Sequence, residues 1–321
     1  MLPFIEATRR LGREPVVVSE KWHLDLATGD GRPLRTRLTE LGIEPVDLAE
    51  LDPASLAPLV RDGAAGLLVN ALWMVRRPVL ELFAGRLFNY HNARLPEERG
   101  AAAYSWKILS RNREGGLAIH AVTERLDDGD IVVESRLPFP EDCRTCADFY
   151  RFMAPYEVEL FERFITALDE GSLVPRRQDE TASLYWPRLN TDLHGYVDWS
   201  WTADEIAAFV DAFDAPHPGA STFLDEIRVR LRGCRSTTKL GRFHPFQAGL
   251  IIRKAAHTLF IAARGGAVEV RDVVGENKQR LNDSVRLGTR FFTPVDLLEK
   301  ARRSRVAYRA TGVSVIPGSR Q

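Results

Sequence analysis

Apolar residues in the first half of the chain fall into short runs separated by polar, helix-like stretches. PVVVSE (15–20), GLLVNAL (66–72) and RLFNYH (86–91) read as buried strands, and GIEPVDL (42–48) as a weaker one. Asp52 followed by Pro53 predicts an N-cap and first turn for a helix PASLAPLVRDG. AAAYSWKILSR (101–111) has helical spacing; GLAIHAVT (116–123) and DIVVESRL (130–137) read as strands around the turn RLDDGD. A long helix over about 145–170 closes this half, and Pro155 inside it predicts a kink or a break. Such alternation predicts an α/β fold with a doubly wound, mostly parallel sheet.

The pattern then changes. GSLVPRRQDETASLYWPRLN is polar and contains proline, which predicts a linker and divides the chain into domains 1–187 and 188–321. TADEIAAFVDAF (202–213) is an amphipathic helix whose Thr202 and Glu205 form a capping box. STFLDEIRVRLRG, GLIIRKAA, TLFIAAR and AVEVRDVV follow as strands, punctuated by Gly241, Gly249, Gly265 and Gly266. Their spacing predicts a small antiparallel barrel of the oligonucleotide/oligosaccharide-binding type. A last helix is predicted from Thr293-Pro294 through LLEKARRSRVAY.

Composition narrows the class. The 321 residues suffice for about two domains, each with its own core. No run approaches the roughly 18 apolar residues of a membrane helix, and Glu6, Arg9 and Arg10 interrupt what a signal peptide would keep apolar. Three cysteines suit a reducing compartment, so the cytoplasm is expected. Cys143-Arg144-Thr145-Cys146 is a C-x-x-C, but with only Cys234 besides it lacks the thiolates of a four-Cys zinc site. It reads as a helix start, and no metal is expected. The 44 basic residues balance 44 acidic ones, which argues against nucleic-acid binding by bulk charge and for a small-molecule enzyme. Lys300, Arg302, Arg303 and Arg305 read as a solvated helix face.

Candidate chemistry gathers at strand ends, where open α/β sheets place their sites. Asn89 and His91 share a face at the end of RLFNYH, and Asp127 opens a D-x-G turn beside Asp128 and Asp130. An amide, an imidazole and a carboxylate suit addition to a carbonyl. The amide stabilises an oxyanion, worth about 10²–10³ in rate, and the other two move protons, worth about 10²–10⁴. No nucleophile elbow, P-loop or G-x-G-x-x-G accompanies them. His120, mid-strand, reads as a buried supporting histidine, and Trp106 as core packing at least as readily as a stacking platform.

The run Asn89, His91, Leu95-Pro96, Arg99-Gly100, Trp106, Ile108-Leu109, Gly116, His120 and Leu126–Ile131 resembles the 10-formyltetrahydrofolate-dependent formyltransferase family. The likeness extends from about residue 40 to about 275 and includes VDWSWTADEIAAFVDAFDAPHPGASTF, similar to the start of the C-terminal barrel of the tRNA and sugar enzymes. It implies that Asn89, His91 and Asp127 are catalytic. It also implies a folate pocket at the strand end Asn70–Val75 and the loop Thr123–Asp130, within which Leu72, Trp73, Met74, Thr123, Asp128, Gly129 and Asp130 bind the co-substrate.

Two departures from the family pattern matter. The loop reads His91-Asn92-Ala93-Arg94-Leu95-Pro96, with Ala93 for a serine and a new charge at Arg94, which bears on the acceptor. The chain also starts at the helix-like LPFIEATRRLG where the family has a strand, so either the start lies upstream or a strand near the sheet centre is missing. The expected function is formyl transfer from 10-formyltetrahydrofolate to a nucleotide-linked amino sugar or similar small amine. The alternatives are methionyl-tRNA as acceptor, or a folate-binding module without transferase activity.

Overall fold

The strands of the first half form where the pattern places them, those before residue 92 in shorter pieces. In the computed structural model, which describes residues 1–309 and 311–316, helix α1 (Leu2–Arg10) precedes β1 (Val18–Ser19), which pairs in parallel with β2 (Val46–Asp47). Next come β3 (Gly66–Val69), β4 (Leu87–His91), β5 (Arg99–Gly100), helix α2 (Ala103–Ser110), β6 (Glu114–Ala121) and β7 (Ile131–Pro138). The main sheet has the order β3-β4-β6-β7, parallel at β3–β4 and antiparallel thereafter. The α/β class holds, with a mixed sheet. The helix expected after Asp52 is a single turn, Pro53–Leu56, although Asp52 caps it as predicted.

The β1–β2 pair and the main sheet are not hydrogen-bonded to each other among the described residues. A cavity of about 530 Å³ separates them, walled by Val16, Val17 and Val18 on one side and Gly66–Val69 on the other. Strand β3 thus presents an unpaired edge to an apolar space.

Helix α3 (Cys146–Glu170) starts with a capping box of Thr145 and Asp148 and runs 25 residues through Pro155 without a break. Pro155 is exposed, so the carbonyl it leaves without an N–H partner can turn to water. Gly171, with φ of 65°, ends the helix. One face of α3 lies against the sheet and α1: Phe161 stacks on Phe4 at 4.7 Å, and Phe4 meets Tyr90 edge-on at 5.0 Å.

The segment expected to be a free linker is fastened to the first half. Arg176 exchanges backbone hydrogen bonds with Ile131, and β8 (Tyr185–Trp186) pairs in parallel with β5. Trp106 packs on Trp186 and donates its indole N–H to the Pro187 carbonyl at 2.8 Å, so its role is structural.

In the second half, helix α4 (Ala203–Ala212) carries the predicted capping box of Thr202 and Glu205. Strands β9 (Ala220–Leu224), β10 (Ile227–Thr237), β11 (Ile251–Ala255), β12 (Thr258–Ala263), β13 (Gly266–Val274) and β14 (Phe291–Phe292) form a curled antiparallel sheet of order β11-β12-β13-β10-β9-β14. A bridge between Leu250 and Arg290 brings its two ends together. The last helix is shorter than expected. Helix α5 spans Val295–Arg303, and RVAYR is strand β15 (Arg305–Arg309), which pairs with β16 (Gly312–Ile316). Of the basic run, Arg302 pairs with Asp198 at 2.7 Å and Arg303 with Glu299 at 3.5 Å.

The two halves share one core. A single buried apolar cluster runs from Phe4 and Leu117 through Phe149 and Phe213 to Val268 and Phe291. At its waist the Ser105 hydroxyl on α2 donates to the Ala212 carbonyl at the end of α4 at 2.8 Å.

Candidate active site

Strand β4 delivers two of the predicted residues, and period-two alternation puts Asn89 and His91 on one face. Asp127 reaches them from the turn between β6 and β7, in the left-handed region at φ 51°, which a short polar residue tolerates. Two glycines make this approach possible. A Cβ on Gly129 would lie 1.9 Å from the Ala121 carbonyl oxygen, and one on Gly100 would lie 2.1 Å from that of Trp186. The Gly100 N–H, thus bared, donates to Asp127 Oδ2 at 2.8 Å.

The remaining hydrogen bonds fix the side chains. Asn89 Nδ2 donates to Asp127 Oδ1 at 3.2 Å and to His120 Nε2 at 3.1 Å. His120 Nδ1 lies 2.8 Å from the Ala121 carbonyl. That partner assigns the His120 proton to Nδ1 and leaves Nε2 as an acceptor. His91 has the other arrangement: Nε2–H donates to the Glu98 carbonyl at 2.7 Å, and Nδ1 faces Asp127 Oδ2 at 3.7 Å. Nδ1 is therefore the nitrogen left to take and return a proton. Burial opposes the charge on Asp127, but the positive charge that His91 and His120 carry when protonated, together with the Gly100 N–H, outweighs it and holds its carboxyl at about 2. It is an anion throughout the neutral range.

Arg94, which departs from the family loop, belongs to a strut beneath His91. The Glu98 carboxylate accepts from the Arg94 backbone N–H at 3.0 Å, from its guanidinium at 3.1 Å, and from the Lys107 ammonium. Glu98 and Lys107 are 5% and 3% exposed. Burial lowers the Lys107 pKa against the pull of Glu98.

Asn89, His91 and Asp127 open into a cavity of about 400 Å³, also lined by Leu72, Trp73, Met74 and Thr123 of the expected folate wall. Asp128, Gly129 and Asp130 do not line it. The Asp128 carboxylate accepts from the Thr123 hydroxyl and the Arg125 guanidinium, and it faces a shallower neighbouring groove. The Gly129 carbonyl accepts from Gln178 Nε2 at 2.7 Å, and Asp130 is exposed, with its carbonyl accepting from Ala121 N–H at 2.9 Å. These three shape the turn. Of the aromatic candidates Trp73 does line the cavity, and its indole N–H donates to the Ala49 carbonyl at 3.2 Å.

Some participants were not foreseen. Gln178, from the supposed linker, donates to the Asp127 and Gly129 carbonyls and accepts from Arg99 at 3.0 Å, locking the turn from behind. A buried amide in a polar stretch leaves no periodic signal. Trp22, His23, Arg188, His217 and Tyr308 also line the cavity, from positions scattered along the chain. Cys143, Cys146 and Cys234 are free and buried; Cys146 also lines the cavity, and burial pushes its thiol up to about 11, which keeps it a neutral wall group.

Residues 44–164 match the family described as formyl transferase, and residues 191–286 match formyl transferase, C-terminal domain. The chain belongs to the formyl transferase family. A methionyl-tRNA formyltransferase of Ruminiclostridium cellulolyticum is 26% identical over 201 residues, 62% of this chain and 64% of that one. One of a Bradyrhizobium strain is 29% identical over 264 residues, covering 80% and 82%. The match to the first three curated relatives spans 64%, 65% and 62% of their lengths.

Among solved structures, this family member shares its fold with an N-formyltransferase of Helicobacter canadensis, solved with folinic acid and dTDP-3-aminofucose. The TM-score is 0.63 at 18% identity, over 83% of this chain and 93% of that one. HypX of Aquifex aeolicus with tetrahydrofolic acid matches at a TM-score of 0.55 and 20% identity, over 89% and 47%.

Proposed function

We propose that this protein transfers the formyl group of 10-formyltetrahydrofolate to a primary amine, and that Asn89, His91 and Asp127 carry the reaction. The observation behind this reading is the grouping of amide, imidazole and carboxylate at the open end of a family-matched sheet, with Asn89 hydrogen-bonded to Asp127 and His91 Nδ1 3.7 Å from the same carboxylate. The co-substrate supplies the formyl carbon, and the apolar side chains of Leu72, Trp73 and Met74 suit a flat ring on one wall. As the amine nitrogen attacks, the Asn89 amide turns one of its two N–H donors to the oxyanion, and His91 adds its charge once Nδ1 has taken the amine proton. A proton leaves the nitrogen toward Asp127 and His91 Nδ1, and when the oxyanion collapses the carbon–nitrogen bond to the folate breaks, with a proton returned to the departing nitrogen.

For the acceptor we favour a nucleotide-linked amino sugar or similar small amine. The zero net charge and the Arg94-braced loop motivate this, and the Helicobacter fold neighbour, solved with a sugar nucleotide, agrees with it. The second reading is methionyl-tRNA as acceptor, which the names of the sequence relatives favour.

An acceptor screen that follows release of tetrahydrofolate tests both. Saturable formylation of an amino sugar without tRNA supports the first. A steep fall in tRNA affinity with salt supports the second, because each neutralised phosphate releases counterions. Folate binding with no acceptor-dependent release would sink transfer altogether.

A further inference from the structure

The cavity that holds the reacting groups carries more positive charge than its chemistry uses. Among the described residues Asp127 is its lone lining carboxylate, and that anion is already engaged by Asn89 and Gly100. Two arginines line the same space. Arg125 is matched to Asp128 and, at 3.8 Å, to Glu180. Arg188 has no carboxylate within ion-pair distance among the described residues. A half-buried guanidinium that faces a cavity without a counter-ion is free to pair with a visiting anion.

The surroundings of Arg188 fit that role. His217, from the turn after α4, and Tyr308, from β15, line the cavity with it. Tyr308 is close enough to feel both the Arg188 guanidinium and the Asp127 carboxylate. Burial and Arg188 together lower the His217 pKa, so this imidazole is a neutral hydrogen-bonding group at neutral pH. A guanidinium fork, an imidazole N–H and a phenol O–H offer donors to several oxygens of one group. A phosphate presents three such oxygens, a carboxylate two.

We propose that Arg188, with His217 and Tyr308, is the subsite that binds a phosphate group of the amine acceptor. This rests on the formyl-transfer reading for the word acceptor, but the anion site itself can be tested without turnover. Three different segments of the chain supply the subsite, which explains why no motif announced it.

The probe is inorganic pyrophosphate, titrated into the full chain and followed by calorimetry. The expected result is saturable binding that weakens about tenfold or more in Arg188→Gln, the worth of one charged hydrogen-bonded contact, and that is kept in Arg125→Gln. In turnover, Arg188→Gln should raise KM for the acceptor by a similar factor and leave KM for the folate unchanged. Displacement of pyrophosphate by a nucleoside diphosphate points to a sugar-nucleotide source, and displacement by a short RNA oligonucleotide points to tRNA.

Equal pyrophosphate binding by the wild type and Arg188→Gln, or binding by neither, overturns the subsite. So does a rise in the folate KM in place of the acceptor KM, which would assign Arg188 to a folate carboxylate. If pyrophosphate binding depends on Arg188 while no amine is ever formylated, the subsite stands and the formyl-transfer reading falls.

Discussion

Asn89 and His91 act on reacting atoms, so their removal should affect rate far more than fold. Asn89→Ala or His91→Ala is expected to lower kcat by about 10² or more, the usual worth of an oxyanion donor or a proton carrier. The thermal midpoint should stay near that of the wild type; near-full activity in either variant would end the mechanism. Gly129 is different in kind, because it touches no substrate. A methyl group there meets backbone at 1.9 Å, so Gly129→Ala must push the turn away and carry Asp127 with it. Overpacking of this sort costs about 1–3 kcal/mol. Activity should fall together with stability in a denaturant titration.

At the scale of elements, buried charge braces the parts that hold the site. The Lys107–Glu98 pair fastens α2 to the loop whose carbonyl orients His91. Lys107→Met leaves Glu98 to Arg94 alone and should cost about 3 kcal/mol, as broken buried pairs do, read as a drop in unfolding midpoint. A second brace joins the start of α3 to α4, where Arg144 donates to Asp211 at 2.5 Å and to the Cys234 carbonyl at 2.8 Å. Burial, aided by Asp214 and Asp148, pushes Asp211 up to about 7 in spite of Arg144.

The sign of the resulting linkage is definite. Unfolded, this carboxyl titrates near about 3.9, so between there and 7 the folded chain holds a proton that the unfolded chain has lost. Stability therefore falls as pH rises through that window, by at most about 1.4 kcal/mol per unit, and levels off above it. Asp211→Asn cannot lose that proton. Its stability relative to wild type should improve between pH 5 and pH 8 in chemical denaturation, and an unchanged difference would show that Asp211 stays ionised.

For the whole molecule, the continuous core carries a consequence for the proposed boundary at residue 187. Phe149 and Cys146 belong to the same buried cluster as Val210 and Phe213. A fragment ending at 187 would expose the α2 and α3 faces that α4 covers. Expressed alone, residues 1–187 should bind a hydrophobic dye and unfold at lower temperature than the full chain. A fragment as stable as the parent would mean that the shared core contributes little.

The sequence by itself determined the local elements and the chemistry they carry. Short apolar runs set β4 and β6, a capping box set the start of α4, and strand alternation put Asn89 and His91 on one face, whereas Asp127 was singled out from Asp128 and Asp130 by the family resemblance. Tertiary structure decided what depends on contacts between distant segments. It carried α3 past an exposed Pro155, turned the last predicted helix partly into a hairpin, and pinned the supposed linker to β5. It moved Asp128, Gly129 and Asp130 from the cavity wall into the turn, and it brought Gln178 and Arg188 to the site from the segment joining the halves. A hydrogen bond or a cavity wall formed across 50 to 100 residues has no period along the chain, so only the folded arrangement reveals it.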